Sequence, residues 1–224
     1  MLISKKNQLE KCLGKNSSDG QLWIRVNPDD YENVKDMDDR LHDELESSAL
    51  KTFDYKIKQQ FCEKSLRIMI LTASSTKLKN FCLSSLSSNT QIELNEGYMK
   101  GVVKLCAATQ EQVYLTDLIL TSDQFKLIFE HSSKSKSLTM MRWKINDIPK
   151  NFQFDDTLEY KIQRFEPRKA VSLQGLVRFA KAVRKTSQLE KSLNCVLIHK
   201  IYEKHARKAF GKIGIDVEID KWNQ

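Results

Sequence analysis

Five segments of this chain share one spacing of apolar residues, and that spacing constrains the fold more than any other feature of the sequence. The segments that begin at Leu50, Leu66 and Leu193 follow Leu-x-x-apolar-x-apolar, and residues 115–123 and 138–146 add a closing Asp or Asn three positions later. In such a unit the fourth and sixth residues lie on one face of a strand, and the closing side chain satisfies backbone groups of the next turn. The pattern predicts a solenoid of strands and helices. Such a fold offers an extended binding surface, and the pattern itself does not indicate a catalytic reaction.

The intervals between successive strand starts fit a repeat. They are 26, 23, 23, 20, 35 and 22 residues when the starts are taken at Leu66, Ile92, Leu115, Leu138, Leu158, Leu193 and Ile215. Most lie within the roughly 20–29 residues of a leucine-rich repeat, and the longest fits a repeat with a longer helix. On these residues the chain resembles the leucine-rich repeat family, of the ribonuclease-inhibitor-like kind with a helix in each repeat, over residues 50–220.

The resemblance implies an α/β fold in which a curved parallel sheet carries helices on its outside and recognises proteins on its concave strand face. Ile92 and Leu158 lack the full pattern, and Lys161 stands where an apolar residue is expected. The alternative is an ordinary α/β domain whose parallel strands happen to begin with leucine. The predicted organisation is an N-terminal segment with an acidic capping helix, residues 1–49, followed by the repeat-like solenoid with a basic C-terminal part, residues 50–224.

Local periodicity places the individual elements. Period-two and repeat patterns predict strands at residues 21–26, 50–57, 66–71, 158–165, 193–198 and 215–219. Helical spacing is expected around residues 78–86 and 99–106, after a capping Asp123, and after a capping Ser172. Strands and helices therefore alternate along the chain.

The repeat geometry also predicts which residues form a binding surface. Residues between the inward-facing positions are expected on the concave face, and they are Asp117, Ile119, Thr121, Met140, Arg142, Lys144, Tyr160 and Arg164. The same strip would continue at its two ends with Ile68, Ile70 and Thr72, and with Cys195, Leu197 and His199. The alternative is that the isoleucines are buried between the sheet and covering helices, as in many parallel sheets.

Charge is distributed unevenly along the chain. Residues 29–46 hold nine acids against two bases, whereas residues 161–212 hold fourteen bases against three acids in a chain of net charge +8. A basic end of this kind suits a polyanionic partner, so the alternative function is a nucleic-acid-associated component, for example of an RNA-protein particle. The candidates for binding phosphate lie on two helix faces, and they are Arg178, Lys181, Lys185, Lys204, Arg207 and Lys208.

Catalytic and metal-binding motifs are absent from the sequence. It contains no glycine-rich phosphate loop, no H-E-x-x-H and no G-x-S-x-G, and its four histidines lack metal-ligand spacing. We therefore expect a non-catalytic protein with no cofactor, no metal and no evident small-molecule substrate, whose partner is another protein within a larger assembly.

Cysteine usage and hydropathy bear on the compartment. The five cysteines are odd in number and contain no C-x-x-C pair, which favours a reducing environment. No apolar stretch is long enough for a membrane span, and the N-terminal residues contain no apolar leader, so we expect an intracellular, cytoplasmic protein. Four lysines within the first fifteen residues leave organellar import open.

Overall fold

The computed structural model describes residues 13–16, 21–26, 50–57, 63–75, 78–85, 91–145, 148–168 and 172–220. Their strands are β1 (Leu13–Asn16), β2 (Gln21–Val26), β3 (Leu50–Ile57), β4 (Asn80–Ser85), β5 (Ile92–Glu93), β6 (Gln112–Thr116), β7 (Leu118–Leu120), β8 (Ser137–Met141), β9 (Lys144–Ile145), β10 (Arg164–Arg168), β11 (Cys195–His199) and β12 (Asp216–Asp220). Their α-helices are α1 (Glu63–Ser75), α2 (Glu96–Ala108), α3 (Ser122–His131), α4 (Leu173–Lys185), α5 (Ser187–Ser192) and α6 (Glu203–Phe210). Short 3₁₀ turns flank α6 at Lys200–Tyr202 and Gly211–Ile213.

The strands form two sheets. The larger has nine strands in the order β1-β2-β3-β4-β6-β8-β10-β11-β12, and the smaller has the order β5-β7-β9. Strand β1 pairs antiparallel with β2, and every other pairing among the described residues is parallel. Each crossover adds its strand beside the previous one, so the order of the large sheet follows the chain. The α/β class expected from the sequence, with a parallel sheet and helices, is confirmed.

One face of the large sheet packs against the helices and forms the hydrophobic core. In β4, Phe81 and Leu83 are buried while Asn80 and Cys82 on the other face are only half-buried. The same alternation buries core-facing residues of each later strand of the large sheet, and these are Val113, Leu115, Leu138, Met140, Phe165, Val196, Ile198 and Val217. Residues of the opposite face are less completely buried, as expected when the described crossovers pack on one face of the sheet.

Aromatic rings join helices to this covered face. The ring of Phe165 in β10 lies 5.2 Å from Phe129 of α3 and 5.0 Å from Phe179 of α4, measured between centroids. Phe125 of α3 stacks on Trp143 at 5.3 Å and also contacts Phe129 at 5.9 Å. Helices α3 and α4 are therefore fixed against the sheet by one continuous aromatic cluster in the centre of the core.

Two elements differ in type from what the sequence predicts. Residues 66–71, expected as a strand, lie inside helix α1, where Ile68, Met69 and Thr72 are buried at helical spacing. Residues 78–86, expected as a helix, contain strand β4. Short apolar runs fit both periods, and here packing against neighbouring elements decides between them. Because α1 is a helix, Ile68, Ile70 and Thr72 do not extend a strip of strand residues.

Other predicted boundaries divide into confirmed and corrected ones. Strands β2, β3, β11 and β12 and helix α2 lie where they are expected, and the Ser172 hydroxyl caps α4 by accepting the Gly175 N–H at 3.0 Å. Thr121, rather than Asp123, caps α3 through a reciprocal pair with Gln124. Strand β10 begins only at Arg164, because the extended segment before it bonds to loop carbonyls, as when Lys161 N–H donates to Ser133. The predicted acidic helix falls within residues 27–49, outside the described residues.

The close approach of α1 and α2 depends on a glycine. A Cβ added to Gly101 would lie 2.8 Å from Met69 Sδ and 3.0 Å from Met69 Cβ, closer than packed atoms allow. We expect Gly101→Val to lower the free energy of unfolding by about 1–3 kcal/mol, because the two helices must separate. Urea denaturation would measure the change.

Two further variants test that explanation. Gly211→Val is the matched control, because a Cβ on Gly211 would meet nothing within 4 Å. Adding Met69→Ala to Gly101→Val should recover part of the loss if the clash is with that side chain. A Gly101→Val protein as stable as the Gly211→Val protein would show that the helices do not depend on this contact.

Candidate functional site

The second face of the large sheet carries the side chains that alternate with the core residues. We call it the strand face, and its half-buried or exposed members are Asp54, Asn80, Cys82, Ser84, Gln112, Tyr114, Ser137, Met141, Arg164, Cys195, His199, Asp216 and Glu218. Buried among them are Thr52, Thr116, Thr139, Glu166, Leu197 and Asp220. Parallel register sets these residues in rows that run across the strands. Aromatic, sulfur-containing, polar and charged groups are mixed along each row.

The centre of the strand face is formed by β6 and β8. The Tyr114 hydroxyl donates to Met141 Sδ at 3.2 Å, which bridges the two strands. Thr139 lies in register between Tyr114 and Glu166 and is buried, and its hydroxyl has no hydrogen-bond partner in the structure. The hydroxyl oxygen is enclosed by its neighbours, so it lies beneath the surface of the face rather than on it.

An arginine ties together the strands beyond this centre. Arg164 Nε donates to Glu166 Oε1 at 2.7 Å, while its Nη1 and Nη2 donate to the two carboxylate oxygens of Glu218 at 2.9 and 2.7 Å. The fork-to-fork geometry spans from β10 across β11 to β12. The hydrogen bonds to Glu218 and Glu166 raise the pKa of Arg164, and those from Arg164 hold the pKa of Glu218 below its usual range.

Proline explains why this bridge crosses a gap in the sheet. Strand β10 pairs with β8 as far as Arg168, but it pairs with β11 only at Arg164 and Phe165. Pro167 has no N–H with which to continue the second ladder. The side chain of Arg164 therefore supplies a cross-strand connection close to the point where backbone pairing ends.

Two cysteines of the described residues, Cys106 and Cys195, are not activated. Burial is the largest cause that raises the pKa of the Cys106 thiol to about 12 and that of Cys195 to about 11. Cys82, Cys106 and Cys195 are all free thiols. A thiol with so high a pKa is almost entirely protonated at neutral pH and is a poor nucleophile. The Cys195 side chain on the strand face is therefore a contact group rather than a reactive one.

Two predicted surface residues instead form the corners between the sheets. Asp117 and Arg142 have φ angles of 64° and 48°, in the left-handed region, and each separates a strand of the large sheet from one of the small sheet. Arg142 Nη2 donates to Asp117 Oδ2 at 2.8 Å. The backbone of Asp117 also bonds to both neighbouring segments, because its N–H donates to Met141 O and its carbonyl accepts from Ile92 N–H. Asp117 is buried, so its role is structural.

The predicted concave residues are dispersed by the fold. Arg164 lies on the strand face, Ile119 and Lys144 lie in register with Glu93 on the small sheet, and Thr121 caps α3. Two orientations expected from the sequence are wrong. Met140 is 0% exposed and faces the core, and Tyr160 is 5% exposed, outside any strand, with its hydroxyl donating to Asp155 O at 3.0 Å.

The physical reason for this dispersal is a corner within the repeated motif. Leu115 belongs to β6, whereas Leu118 and Leu120 belong to β7 of the other sheet. The six-residue pattern therefore spans two strands and the Asp117 corner rather than one continuous strand. At the far end, Cys195, Leu197 and His199 do lie together on β11, with Leu197 buried among its neighbours.

The strand-face residues that sequence reasoning missed are those just before each corner. Tyr114 and Thr116 alternate with the buried Val113 and Leu115, and Thr139 and Met141 alternate with Leu138 and Met140. The signal was the period of two in the residues that precede the corner, at Val113-x-Leu115 and Leu138-x-Met140. Anchoring the strands on this alternation places Tyr114 and Thr139 on the strand face.

The phosphate-binding candidates are on the helices, and they are not equivalent. Lys181 and Lys185 of α4 and Lys204 and Lys208 of α6 are exposed. Arg178 is half-buried and donates to the backbone carbonyl of Ile148. Arg207 pairs with Glu203 Oε1 at 3.0 Å on the same helix. Four of the six candidates therefore present charge to solvent, and two are engaged within the protein.

Within the part of the chain that the structure describes, no group of three or more His, Cys, Asp or Glu side chains is arranged to hold a metal ion. None of the helices described there has the length and apolar character needed to cross a membrane.

Comparison with protein-family models gives no match for this chain. Searches of curated proteins and of solved structures likewise find no significant relative.

Proposed function

We propose that this chain is a leucine-rich-repeat-like solenoid that serves as a non-catalytic protein-protein interaction or scaffold module within a larger assembly. The carrying observation is a sheet of sequentially ordered parallel strands whose one face is filled by the core while the other presents a row of mixed side chains. Sequential stacking of strand-and-helix units is the arrangement of repeat proteins, which bind partners on the extended surface that stacking creates. The strand face is the corresponding surface here.

The chemistry of the strand face supports a protein partner. Tyr114, Met141 and Cys195 offer half-buried aromatic and sulfur contacts. Aromatic residues and methionine are enriched in the cores of protein interfaces, where a polar rim supplies orientation. The protonated thiol of Cys195 argues against covalent chemistry at that position of the face.

Electrostatics favours a partner that is basic where it meets the last strands. The charged residues at strand-face positions of β10–β12 are Arg164 and Arg168 against Glu166, Asp216, Glu218 and Asp220, a net charge of −2. Since the guanidinium of Arg164 is shared by two carboxylates, Asp216 remains exposed as an acceptor at this end. A lysine or arginine of the partner would complement that end, and charge complementarity would set its orientation.

Site-specific photo-crosslinking tests the proposal. A benzophenone amino acid is placed at Tyr114, at Met141 or at Cys195, and the purified protein is irradiated in native extract after nuclease treatment. We expect all three positions to give covalent adducts with the same protein, since they lie across three strands of one face. Mass spectrometry of the adducts identifies the partner and its crosslinked segment.

The matched control is the same photo-reactive residue at Leu127, an exposed apolar position on the helix side, 43% accessible to solvent. The proposal fails if the strand-face positions yield no adduct beyond that of Leu127, or if each position captures a different protein.

A further inference from the structure

The outer side of the last two crossovers has an unusual charge balance. Residues 172–213 contain ten Lys and Arg side chains against two acids, Glu190 and Glu203. The buried faces of helices α4 and α6 hold their apolar residues, so the charged ones point away from the sheet. This surface lies on the side of the sheet opposite to the strand face and takes no part in the function proposed above.

The structure separates usable cations from engaged ones. Arg178 is bound to a backbone carbonyl and Arg207 to Glu203, so neither presents a full set of donors. Lys181, Lys185, Lys204 and Lys208 are exposed, and so is Arg184. None of these five makes an ion pair with another described residue. They define what we call the basic helix face.

The five cations form two rows on neighbouring helices. The ring of Phe179 in α4 contacts that of Phe210 in α6 at 6.0 Å, which sets the two helices side by side. Packed helix axes lie about 8–10 Å apart. Along each helix, the pairs Lys181 with Lys185 and Lys204 with Lys208 are separated by ~6 Å of axial rise. That spacing is close to twice the ~3.4 Å axial distance between phosphates on one strand of a duplex.

We propose that the basic helix face binds the phosphate backbone of a nucleic-acid duplex without reading its sequence. Four of its five members are lysines, which contact phosphate as point charges and lack the fork that reads bases. The aromatic side chains of the two helices, Phe179 and Phe210, are buried, so they cannot stack on the unpaired bases of a single strand. A surface whose charge is carried mainly by lysines, and whose helices expose no phenylalanine ring for stacking, is suited to the phosphate backbone of a duplex.

Salt dependence of binding is the direct test. Fluorescence anisotropy is measured with a labelled 20-base-pair DNA duplex and a 20-base-pair RNA duplex, on the whole chain, between 50 and 200 mM NaCl. With five phosphate contacts, log K should fall with log salt at a slope of about −4.5, which weakens binding about 500-fold across this range. Duplexes of different sequence should bind equally, and comparison of DNA with RNA identifies the source of the phosphates.

A charge-matched pair of variants separates this surface from net charge. Lys181→Gln, Lys204→Gln and Lys208→Gln together should bring the slope to about −1.8, because three contacts are lost. The control is Lys79→Gln, Lys100→Gln and Lys104→Gln, which removes the same charge from exposed lysines near the other end of the sheet. Its slope should stay near that of the unmodified protein.

The proposal is overturned if no duplex binds at 50 mM NaCl or if the control triple weakens binding as much as the Lys181 triple. It is also overturned if polyglutamate of matched charge, or vesicles with anionic lipid, bind as tightly as the duplex. Those results would assign the face to an acidic protein or to a membrane surface, respectively. The photo-crosslinked adducts of the strand face, formed after nuclease treatment, should be unaffected by the Lys181 triple, so failure of one proposal is distinguishable from failure of the other.

Discussion

Replacement of Phe125 by alanine is expected to lower the free energy of unfolding by about 4 kcal/mol, the largest effect of any single substitution considered for this protein. Phe125 is 1% exposed, and its ring contacts those of Phe129, Trp143, Phe152, Phe154, Phe165 and Phe179. These rings come from helices, strands and the segment before β10, so a cavity there cannot be closed by moving one element. Urea denaturation followed by tryptophan fluorescence would measure the loss.

The control for this prediction lies on the same helix. Leu127→Ala removes apolar volume two residues away, but Leu127 is 43% exposed and should cost less than about 1 kcal/mol. Both variants place an alanine in α3, so the difference between their losses of stability reports mainly the burial of the side chain that was removed. Equal losses in the two variants would mean that the aromatic cluster is not the centre of the core.

The second large effect is expected for Arg164→Met, which should lower the free energy of unfolding by about 3 kcal/mol. Removing the guanidinium takes one ion pair from Glu166, whose side chain is only 10% exposed, and also releases Glu218. A carboxylate with so little contact with water gains little hydration when it loses an ion pair, so the loss is costly. Chemical denaturation at pH 7 provides the measurement.

Variants of the two partners locate that cost. Glu218→Gln should change stability by less than about 1 kcal/mol, because the Glu218 side chain is 51% exposed and its pair is screened by water. Adding Glu166→Leu to Arg164→Met should restore much of the loss, since the buried charge is then gone. If Arg164→Met unfolds at the same denaturant concentration as the unmodified protein, the network has no role in stability.

The same network predicts how stability responds to acid. The folded-state pKa of Glu218 is lowered by its hydrogen bonds from Arg164, so the unfolded chain binds that proton more readily. Its contribution is therefore fully present above the ordinary carboxyl pKa and is lost as the pH falls through the lowered folded value. In Arg164→Met this component of the acid dependence should disappear, which denaturation at several pH values would detect.

The two proposed surfaces, the strand face and the basic helix face, lie on opposite sides of the large sheet. The residues at strand-face positions of β10–β12 have a net charge of −2, while residues 172–213, mostly helical, carry ten bases against two acids. A module with this polarity could hold a basic protein on one side and a polyanion on the other without competition. The tests above address each side separately, since strand-face adducts form without nucleic acid and duplex binding requires no partner protein.

Much of this architecture follows from local sequence alone. The alternation of apolar spacing predicts parallel strands joined by helices, and it places β3, β11, β12, α2 and the Ser172 cap of α4 correctly. The excess of lysine and arginine in the last quarter is equally a property of the sequence. These features survive because they depend on the side-chain period of each element and on charge, which need no knowledge of neighbours.

The tertiary structure decides which side chains form the surface. The left-handed corners at Asp117 and Arg142 interrupt the two Leu-x-x-apolar-x-apolar units that begin at Leu115 and Leu138, which moves Met140 into the core and Tyr114 and Thr139 onto the strand face. A shift of one residue in a strand exchanges its two faces, so the assignment depends on register with neighbouring strands. The sequence by itself determined the α/β class and the charge asymmetry. Pairing and packing determined which residues are available to a partner, because register is fixed only when neighbouring strands come together.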